Sequence, residues 1–373
     1  MSLTRRGKEA EWLEQLKPGL RQLESDALNA ESPTELLNDY LTPISSFFVR
    51  NNGVLPAISL GDADSWTLSV DGEVRNPCSW TVAELRTKFE NVSVTAVLEC
   101  AGNGRSAFSP PTQGLQWGHG AVGCARWIGV RLRDLLEFAG LKDSAVYTGH
   151  FSPDVKTDGS GESAISRGLP ITKALAPETL VAFAMNDAPL PILHGGPLRI
   201  VAPGYPGSAW QKWLTRIWVR DREHDGEKMT GIEYRLPAVP ISPTQSFDDI
   251  ELRVITDMPI NSIITTPKDN FVAECGSEIE IGGFAWSGHV PVSSVTFSAD
   301  GFRTSQPLKL EPSSEPFAWR RFAGRVRPKQ RGLLTLATRA ADVEGRSQPL
   351  EPVLWNPGGY CNNMVTGISG MVT

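Results

Sequence analysis

The chain has 373 residues, 40% of them hydrophobic, which is room for two domains and ordinary for a globular protein. A formal net charge of −6 at pH 7 and a pI near 5.5 exclude nucleic acid or an anionic membrane as the main partner, while leaving room for basic residues converging on one anionic ligand. No apolar run approaches the roughly 20 residues that span a bilayer. The opening MSLTRRGKEAEW has no apolar stretch behind Arg5 and Arg6, so it does not read as an intact export signal. The compartment stays open: periplasmic if a signal was removed, otherwise cytoplasmic.

In chain order, Trp12, Leu13, Leu16, Leu20 and Leu23 recur at helical spacing with Pro18 interrupting, which predicts a helical N-terminal extension over residues 1–40. Thr42 to Pro56, containing FFVRNNG, reads as a loop. Trp66 to Val70 alternates as a strand, and DGEV marks a turn into a second one. Thr81 suits the N-cap of a short helix, and Val92 to Leu98 is a β-branched strand running into Glu99, Cys100 and a Gly-rich turn. A helix over Leu132–Ala139, a strand over Ala145–His150, a polar loop over Ser152–Gly168 and a strand over Pro197–Ala202 follow. Beyond the proline-rich LPAVPISP, Leu236 to Pro243, helix signals fade and short strands recur, including Glu278–Ile281, Ser294–Ser298 and Leu333–Arg339. The pattern predicts an α+β protein: a mixed α/β domain over 41–243, then an immunoglobulin-like β-sandwich over 244–373.

Cys78, Cys100, Cys124, Cys275 and Cys361 are scattered, with no CxxC or CxxCH, and the five histidines form no HExxH. A zinc cluster, a c-type haem or a disulfide framework is not expected, so a metal here would be held mainly by something other than protein ligands.

Three segments carry candidate chemistry. In VLECAGNGRS, residues 97–106, a strand ends in Cys100, and Gly102 and Gly104 allow a tight turn. Arg105 follows near enough to favour the thiolate, the form that binds soft metals. In FFVRNNG, residues 47–53, Arg50 lies beside two asparagines, a composition suited to an oxyanion. In HGGPLRIVAPGYPGSAWQKW, residues 194–213, His194, Arg199 and Lys212 bracket a loop able to cradle a phosphate. Taken singly, each segment reads as readily as a strand-end cysteine or a surface arginine in a polar turn. Neither GxxxxGK[ST] nor GxGxxG after a strand is present.

Taken together and in order, FFVRNN, CAGNGR, GLQWGHGA, ARWIGVRLRDLL, LPITKAL, NDAPLPILHGGPLRIVAPG and KWLTRI resemble the sulfite oxidase family of molybdopterin enzymes. INSIITTP, GFAWSG, AWRRF and LWNPGGY resemble that family's dimerisation domain, so the likeness runs from about residue 42 to 360. WNPGGY is also similar to the wording of the sulfane dehydrogenase branch.

The resemblance implies a molybdopterin domain over 41–243 and a single Mo-molybdopterin with Cys100 as the protein's metal ligand, without haem. Cys124, the rival thiol, falls where the family has a small residue and is read as structural. Phe48, Val49, Arg50, Asn51, Asn52, Asp154, His194, Arg199, Trp210, Gln211 and Lys212 match cofactor-binding stretches, with Asp158 an alternative to Asp154. Arg50, Arg105 and Tyr234 match a pocket for a small anionic substrate, where arginines neutralise an oxyanion such as sulfite and the tyrosine hydroxyl donates. The implied reaction is oxygen-atom transfer to sulfite or a related sulfur oxyanion. Electrons would pass to a separate acceptor, a cytochrome c being one candidate, and the implied assembly is a homodimer. Reductive chemistry on nitrate or a sulfoxide, and an inactive homologue, are the competing readings. Three positions depart from the family: Asn52 for histidine, Gly104 for arginine, and Gly358 for a further substrate-pocket arginine. Losing that last charge points to a larger or different substrate.

Overall fold

The structure, a computed structural model, describes residues 11–373 apart from 12, 24, 25, 59, 247 and 248. Its first unit is built on two mixed-order sheets that share one apolar core. The first sheet runs in the order Ala188–Pro189, Leu180–Met185, Val122–Arg131, Asn91–Glu99, with Arg199–Val201 also paired to Leu180–Met185, all antiparallel. The second runs Cys78–Thr81, Thr67–Gly72, Arg216–Arg220, Tyr147–Phe151, Gly168–Pro170, and only Thr67–Gly72 with Arg216–Arg220 is parallel. Leu98, Ala125, Trp127 and Ile200 of the first sheet pack with Leu68, Val70, Ile217 and Val219 of the second.

The strand Asn91–Glu99 shows why the candidate cysteine lies where it does. Its first four residues alternate exposed and half-buried, but Thr95 to Glu99 are buried on both faces. The change comes from the second unit, whose Trp286 and Trp319 join Val97 and Val122 in one apolar seam. The strand pairs along its whole length with Val122–Arg131, and one residue further Cys100 N donates to Ala121 O at 2.9 Å. Two helices flank these sheets as expected. Val82–Lys88 starts with a reciprocal capping box between Thr81 and Glu84, worth about 1 kcal/mol. Leu132–Ala139 buries Leu132, Leu135, Leu136 and Ala139 and stops at Gly140, φ 72°.

The N-terminal expectation is corrected. Residues 13–16 are helical, but Arg21–Gln22 and Ala30–Glu31 form a two-stranded ribbon and Thr34–Leu36 a 3₁₀ turn. Pro18, followed by Gly19 at φ 87°, breaks the helix. Leu13, Leu20 and Leu28 then gather on Val49 and Leu193 instead of on a helix face. Residues 1–10 and Trp12 lie outside the described residues.

The second unit is two facing sheets. One runs Asn261–Thr266, Ile279–Trp286, Arg320–Val326, Lys309–Leu310; the other runs Phe271–Ala273, Gly367–Val372, Gly332–Asp342, Val292–Ser298, Gln306–Pro307. Ile281 and Phe322 from one face Val295, Phe297 and Leu336 from the other. A buried polar tie joins them: Ser262 Oγ donates to Gln348 Oε1 at 2.6 Å, and Gln348 Nε2 donates to Asn261 Oδ1 at 3.0 Å. The three strands expected here are present and longer, as Ile279–Trp286, Val292–Ser298 and Gly332–Asp342. Among the described residues, no helix is long and apolar enough to cross a membrane.

Candidate active site

Two adjoining chambers open beside the end of strand Asn91–Glu99. An inner one holds about 670 Å³ and an outer one about 1050 Å³ of empty space, counting space open to solvent. Arg50, Asn52, Cys100 and Tyr234 line both, so Cys100 sits where they meet.

The loop after Cys100 is fixed by its own backbone and by Asn103. Asn103 N donates to Cys100 O at 2.9 Å, Asn103 Nδ2 to Glu99 Oε1 at 2.9 Å, and Ala121 N to Asn103 Oδ1 at 3.1 Å. Behind it, Trp286 Nε1 of the second unit donates to Glu99 Oε2 at 2.8 Å, and burial raises that carboxyl to about 7. Cys100 is 6% exposed and free of any disulfide. Cys124, by contrast, is fully enclosed in the seam, and burial pushes its thiol up to about 12. The two thiols are thereby separated: only Cys100 faces a cavity.

The inner chamber collects cations. Arg199 donates from Nη1 to His194 O at 2.6 Å and from Nη2 to Trp210 O at 3.0 Å, and its guanidinium lies 5.0 Å over the Trp127 ring. Lys212 Nζ donates to Asn51 Oδ1 and to Leu193 O, the latter at 3.1 Å. Lys17, from the N-terminal segment, donates to Phe47 O at 2.9 Å. Burial drives Arg199 down to about 9 and Lys17 to about 7, and drives Lys212 well below its ordinary value, with Arg199 adding repulsion. Burial, reinforced by Lys17, Arg199 and Lys212, likewise pushes His194 far down and keeps it neutral. Among the described residues Asp154 is the one carboxylate lining this chamber, and burial raises it. Asp158, the alternative, instead caps Ser160 N at 2.9 Å in an exposed turn.

Two buried polar atoms on this wall, His194 Nε2 and Asp154 Oδ2, have no hydrogen-bond partner among the described residues. Buried groups are rarely left so, and a cluster of desolvated cations is tolerated when an anion sits among them. The wall therefore fits a pterin bearing a phosphate. His194 and Asp154 would meet its ring, Arg199 and Lys212 its phosphate, and Cys100 its metal. Gln211 also lines the chamber, yet its amide serves the fold: Nε2 donates to Ser152 Oγ and Ile165 O, and Oε1 accepts from Arg167 N. Phe48 and Trp210 give apolar walls, and Trp210 Nε1 is taken by Tyr205 O at 3.1 Å.

Val49 is a correction. Its side chain is fully buried among Leu13, Leu20 and Ala30, and both its backbone groups pair with Ala30, leaving nothing for a cofactor.

In the outer chamber, Asn52 Oδ1 accepts from Arg50 Nη2 at 2.8 Å and from Tyr234 Oη at 3.2 Å, joining the two groups. Asn29 Oδ1, fully buried, accepts from Arg50 Nη1 at 3.2 Å and from Asn51 N at 2.8 Å. Arg105 donates from Nε to Gly358 O at 2.8 Å and from Nη1 to Leu115 O at 2.9 Å, reaching across to the C-terminal segment. A Cβ on Gly102 would lie 2.5 Å from Arg105 Nη2, so a side chain there would displace the guanidinium packed on it.

Sequence reasoning missed three participants. Asn29 falls inside the stretch read as helix. Arg167, 1% exposed with its guanidinium 5.1 Å over Tyr234, sits at the end of the stretch read as a polar loop. Tyr360, stacked on Tyr234, comes from the second unit. An arginine preceding a short apolar strand in SRGLP was the one available hint. Among the described residues, no three His, Cys, Asp or Glu side chains lie together as a metal cluster.

Residues 53–228 match the family model described as an oxidoreductase molybdopterin binding domain, and residues 252–368 match a Mo-co oxidoreductase dimerisation domain. The chain is similar to sulfite oxidase of Gallus gallus, 34% identical over 91% of this chain and 75% of that one. It is also similar to mitochondrial sulfite oxidase of Mus musculus, 35% identical over 93% of this chain and 64% of that one, so it spans under two thirds of the longer relative. The sulfane dehydrogenase SoxCD of Paracoccus pantotrophus shares the fold, with TM-score 0.80 and 24% identity over 96% of this chain and 88% of that one. With the two chambers, the lone facing thiol and both family models in the same order, the chain belongs to the sulfite oxidase family of molybdopterin-dependent oxidoreductases.

Proposed function

We propose that the chain oxidises sulfite or a related sulfur oxyanion by oxygen-atom transfer and passes the electrons to a separate acceptor, a cytochrome c being one candidate. The observation that carries this reading is Cys100, the one cysteine among the described residues that lines both chambers, placed where a chamber rich in buried cations meets a chamber lined by Arg50, Arg105 and Tyr234. A bound molybdenum cofactor supplies the oxygen transfer and takes up the electron pair; the protein's part is binding, orientation and charge.

Arg50 uses three hydrogen bonds to stay in place, to Asn29 Oδ1, Asn51 O and Asn52 Oδ1. These use three of the five guanidinium N–H groups, and the others are the donors offered to an oxyanion. Arg105 adds a second positive charge to the same wall, anchored by carbonyls it does not share with the ligand. The Tyr234 hydroxyl rests on Asn52 and, by rotating off it, donates to a substrate oxygen. Two fixed cations and one mobile donor hold an oxyanion in one orientation, which is the protein's contribution to lowering the barrier.

The division near residue 243 and the homodimer are part of the same proposal. The first is supported by the two separate apolar cores and the second by the match to a dimerisation domain.

The test is to produce the protein in a cofactor-competent host, measure molybdenum per chain, and assay sulfite-dependent reduction of an artificial acceptor. Stoichiometric molybdenum with sulfite turnover is expected. Molybdenum with nitrate-dependent oxidation of a reduced dye and no sulfite turnover would replace this reading with reductive chemistry. A folded chain that never loads molybdenum would replace it with an inactive homologue.

A further inference from the structure

The outer chamber is completed by the segment that follows strand Gly332–Asp342, and Tyr360 is its point of contact. The ring of Tyr360 stacks on Tyr234, with centroids 5.3 Å apart and planes 21° from parallel. On Tyr360 lies the Arg105 guanidinium, 5.2 Å from the ring centroid; on Tyr234 lies that of Arg167 at 5.1 Å. Both groups proposed to meet the substrate in this wall, Arg105 and Tyr234, thus touch the Tyr360 ring.

The backbone that carries the ring is itself held in place. Tyr360 N donates to Asn356 Oδ1 at 2.9 Å and Asn356 Nδ2 donates back to Tyr360 O at 3.0 Å, while Cys361 N donates to Ala101 O at 2.8 Å, beside Cys100. A Cβ on Gly358 would come within 2.1 Å of Tyr360 Cε2, so the ring occupies the space any side chain at 358 would need. That explains in physical terms why the position read as a missing arginine is glycine here.

We propose that Tyr360 is a positioning residue for the reaction above: its ring, carried on a backbone held by Asn356, fixes the Tyr234 ring and the Arg105 guanidinium in the wall of the outer chamber. The proposal rests on the reading of that chamber as the substrate site. A stacked aromatic pair and a partly desolvated cation–π contact are each individually modest, yet here they act through one ring on two groups.

The experiment compares Tyr360→Phe and Tyr360→Leu in the cofactor-loaded enzyme, reading kcat and KM for sulfite, molybdenum content and thermal midpoint. Tyr360→Phe keeps the stack and is expected within about 2-fold of wild type, whereas Tyr360→Leu is expected to lower kcat/KM by roughly 5- to 50-fold. That loss should show mainly in KM and come with unchanged molybdenum per chain. Gly358→Ala, which displaces the ring, is expected to lower kcat/KM in the wild type and to do little in the Tyr360→Leu background. If Tyr360→Leu does not fold, Tyr360→Met refills the volume without a stacking face and takes the same readouts. Kinetics equal to wild type in Leu or Met, or a Phe variant as damaged as Leu, would overturn the positioning role. An Arg50→Gln control separates the two failures. If it too leaves KM unmoved, the outer chamber is not the substrate site; if it alone raises KM, only the role of Tyr360 falls.

Discussion

The inner and outer chambers both present positive charge to Cys100, but they treat it in opposite ways. In the inner chamber, Arg199 and Lys212 line a wall whose one carboxylate among the described residues is Asp154, and burial pushes both toward losing their protons, as it does Lys17 near His194. In the outer chamber one cation has a carboxylate partner of its own, and the two arginines are held by neutral oxygens. Lys228 pairs with Glu233 at 2.6 Å, Arg105 rests on two carbonyls, and Arg50 is tied to Asn29, Asn51 and Asn52. Desolvated charge without a counter-ion is expensive, so the inner arrangement belongs to a protein carrying a resident anion. Charge that is satisfied before a ligand arrives binds more weakly and releases readily, as turnover requires. The contrast assigns permanence to one chamber and exchange to the other.

The shared thiol is the sharpest place to break that comparison. Cys100→Ser is expected to cut sulfite turnover by more than ~100-fold, beyond the usual cost of losing a ligand's supporting partner. Elemental analysis alongside the assay checks it, and a Ser variant with full turnover would remove the thiol from the site. The next largest effect concerns two buried lysines, one of them on the wall of the inner chamber. Lys17, with a folded value near 7 against 10.5 unfolded, and Lys212, displaced the same way, hold fewer protons in the native state than in the unfolded chain. Stability of the cofactor-free protein should therefore rise with pH from about 7 toward 10.5, by on the order of 5 kcal/mol. A resident anion beside Lys212 restores its proton, so the loaded protein should show a flatter profile. Urea titrations of both forms between pH 6.5 and 9.5 measure the slopes; equal slopes would deny the inner chamber its anion. In the outer chamber, Arg50→Gln should raise KM for sulfite about 10-fold, the loss of one charge-assisted contact, with molybdenum content unchanged. A fall in molybdenum with KM constant would move Arg50 to the inner function.

Much of this was readable from the chain, and the misses share a cause. Thr81 and Glu84 announce their helix because a capping box is local, and Cys100 follows a β-branched strand whose neighbours set it in place. The strand Val122–Arg131 escaped notice because it is buried on both faces and closely approached. A Cβ at Gly123 would meet the Phe47 ring at 2.7 Å and one at Gly129 would meet Val181 O at 2.1 Å, so small residues replace the alternating pattern. Val49 was misassigned because its loop was read as a unit, whereas successive residues there face opposite ways, Phe48 into the inner chamber and Val49 into the apolar N-terminal cluster. Asn29, Arg167 and Tyr360 lie 21, 67 and 126 residues from the groups they touch, Arg50, Tyr234 and Tyr234. No periodicity reports such partners; the family likeness supplied the site's membership, and tertiary packing supplies its bracing.

Asn52 is where the smallest effect is expected, and where the two chambers meet most closely. Its Oδ1 receives Arg50 Nη2 and Tyr234 Oη together, a task that uses both lone pairs of an amide oxygen. A neutral imidazole at this position offers one acceptor nitrogen, so Asn52→His can keep only one of the two bonds. The net worth of an ordinary hydrogen bond is about 1 kcal/mol, which sets the expected loss in kcat/KM for sulfite at roughly 3- to 5-fold. Asn52→Ala forfeits both bonds and should lose more than the histidine variant does, at the same molybdenum content. Steady-state kinetics on the two variants tests the sharing directly. If alanine and histidine behave alike, the amide oxygen is not what couples Arg50 to Tyr234, and the outer chamber's two donors act independently.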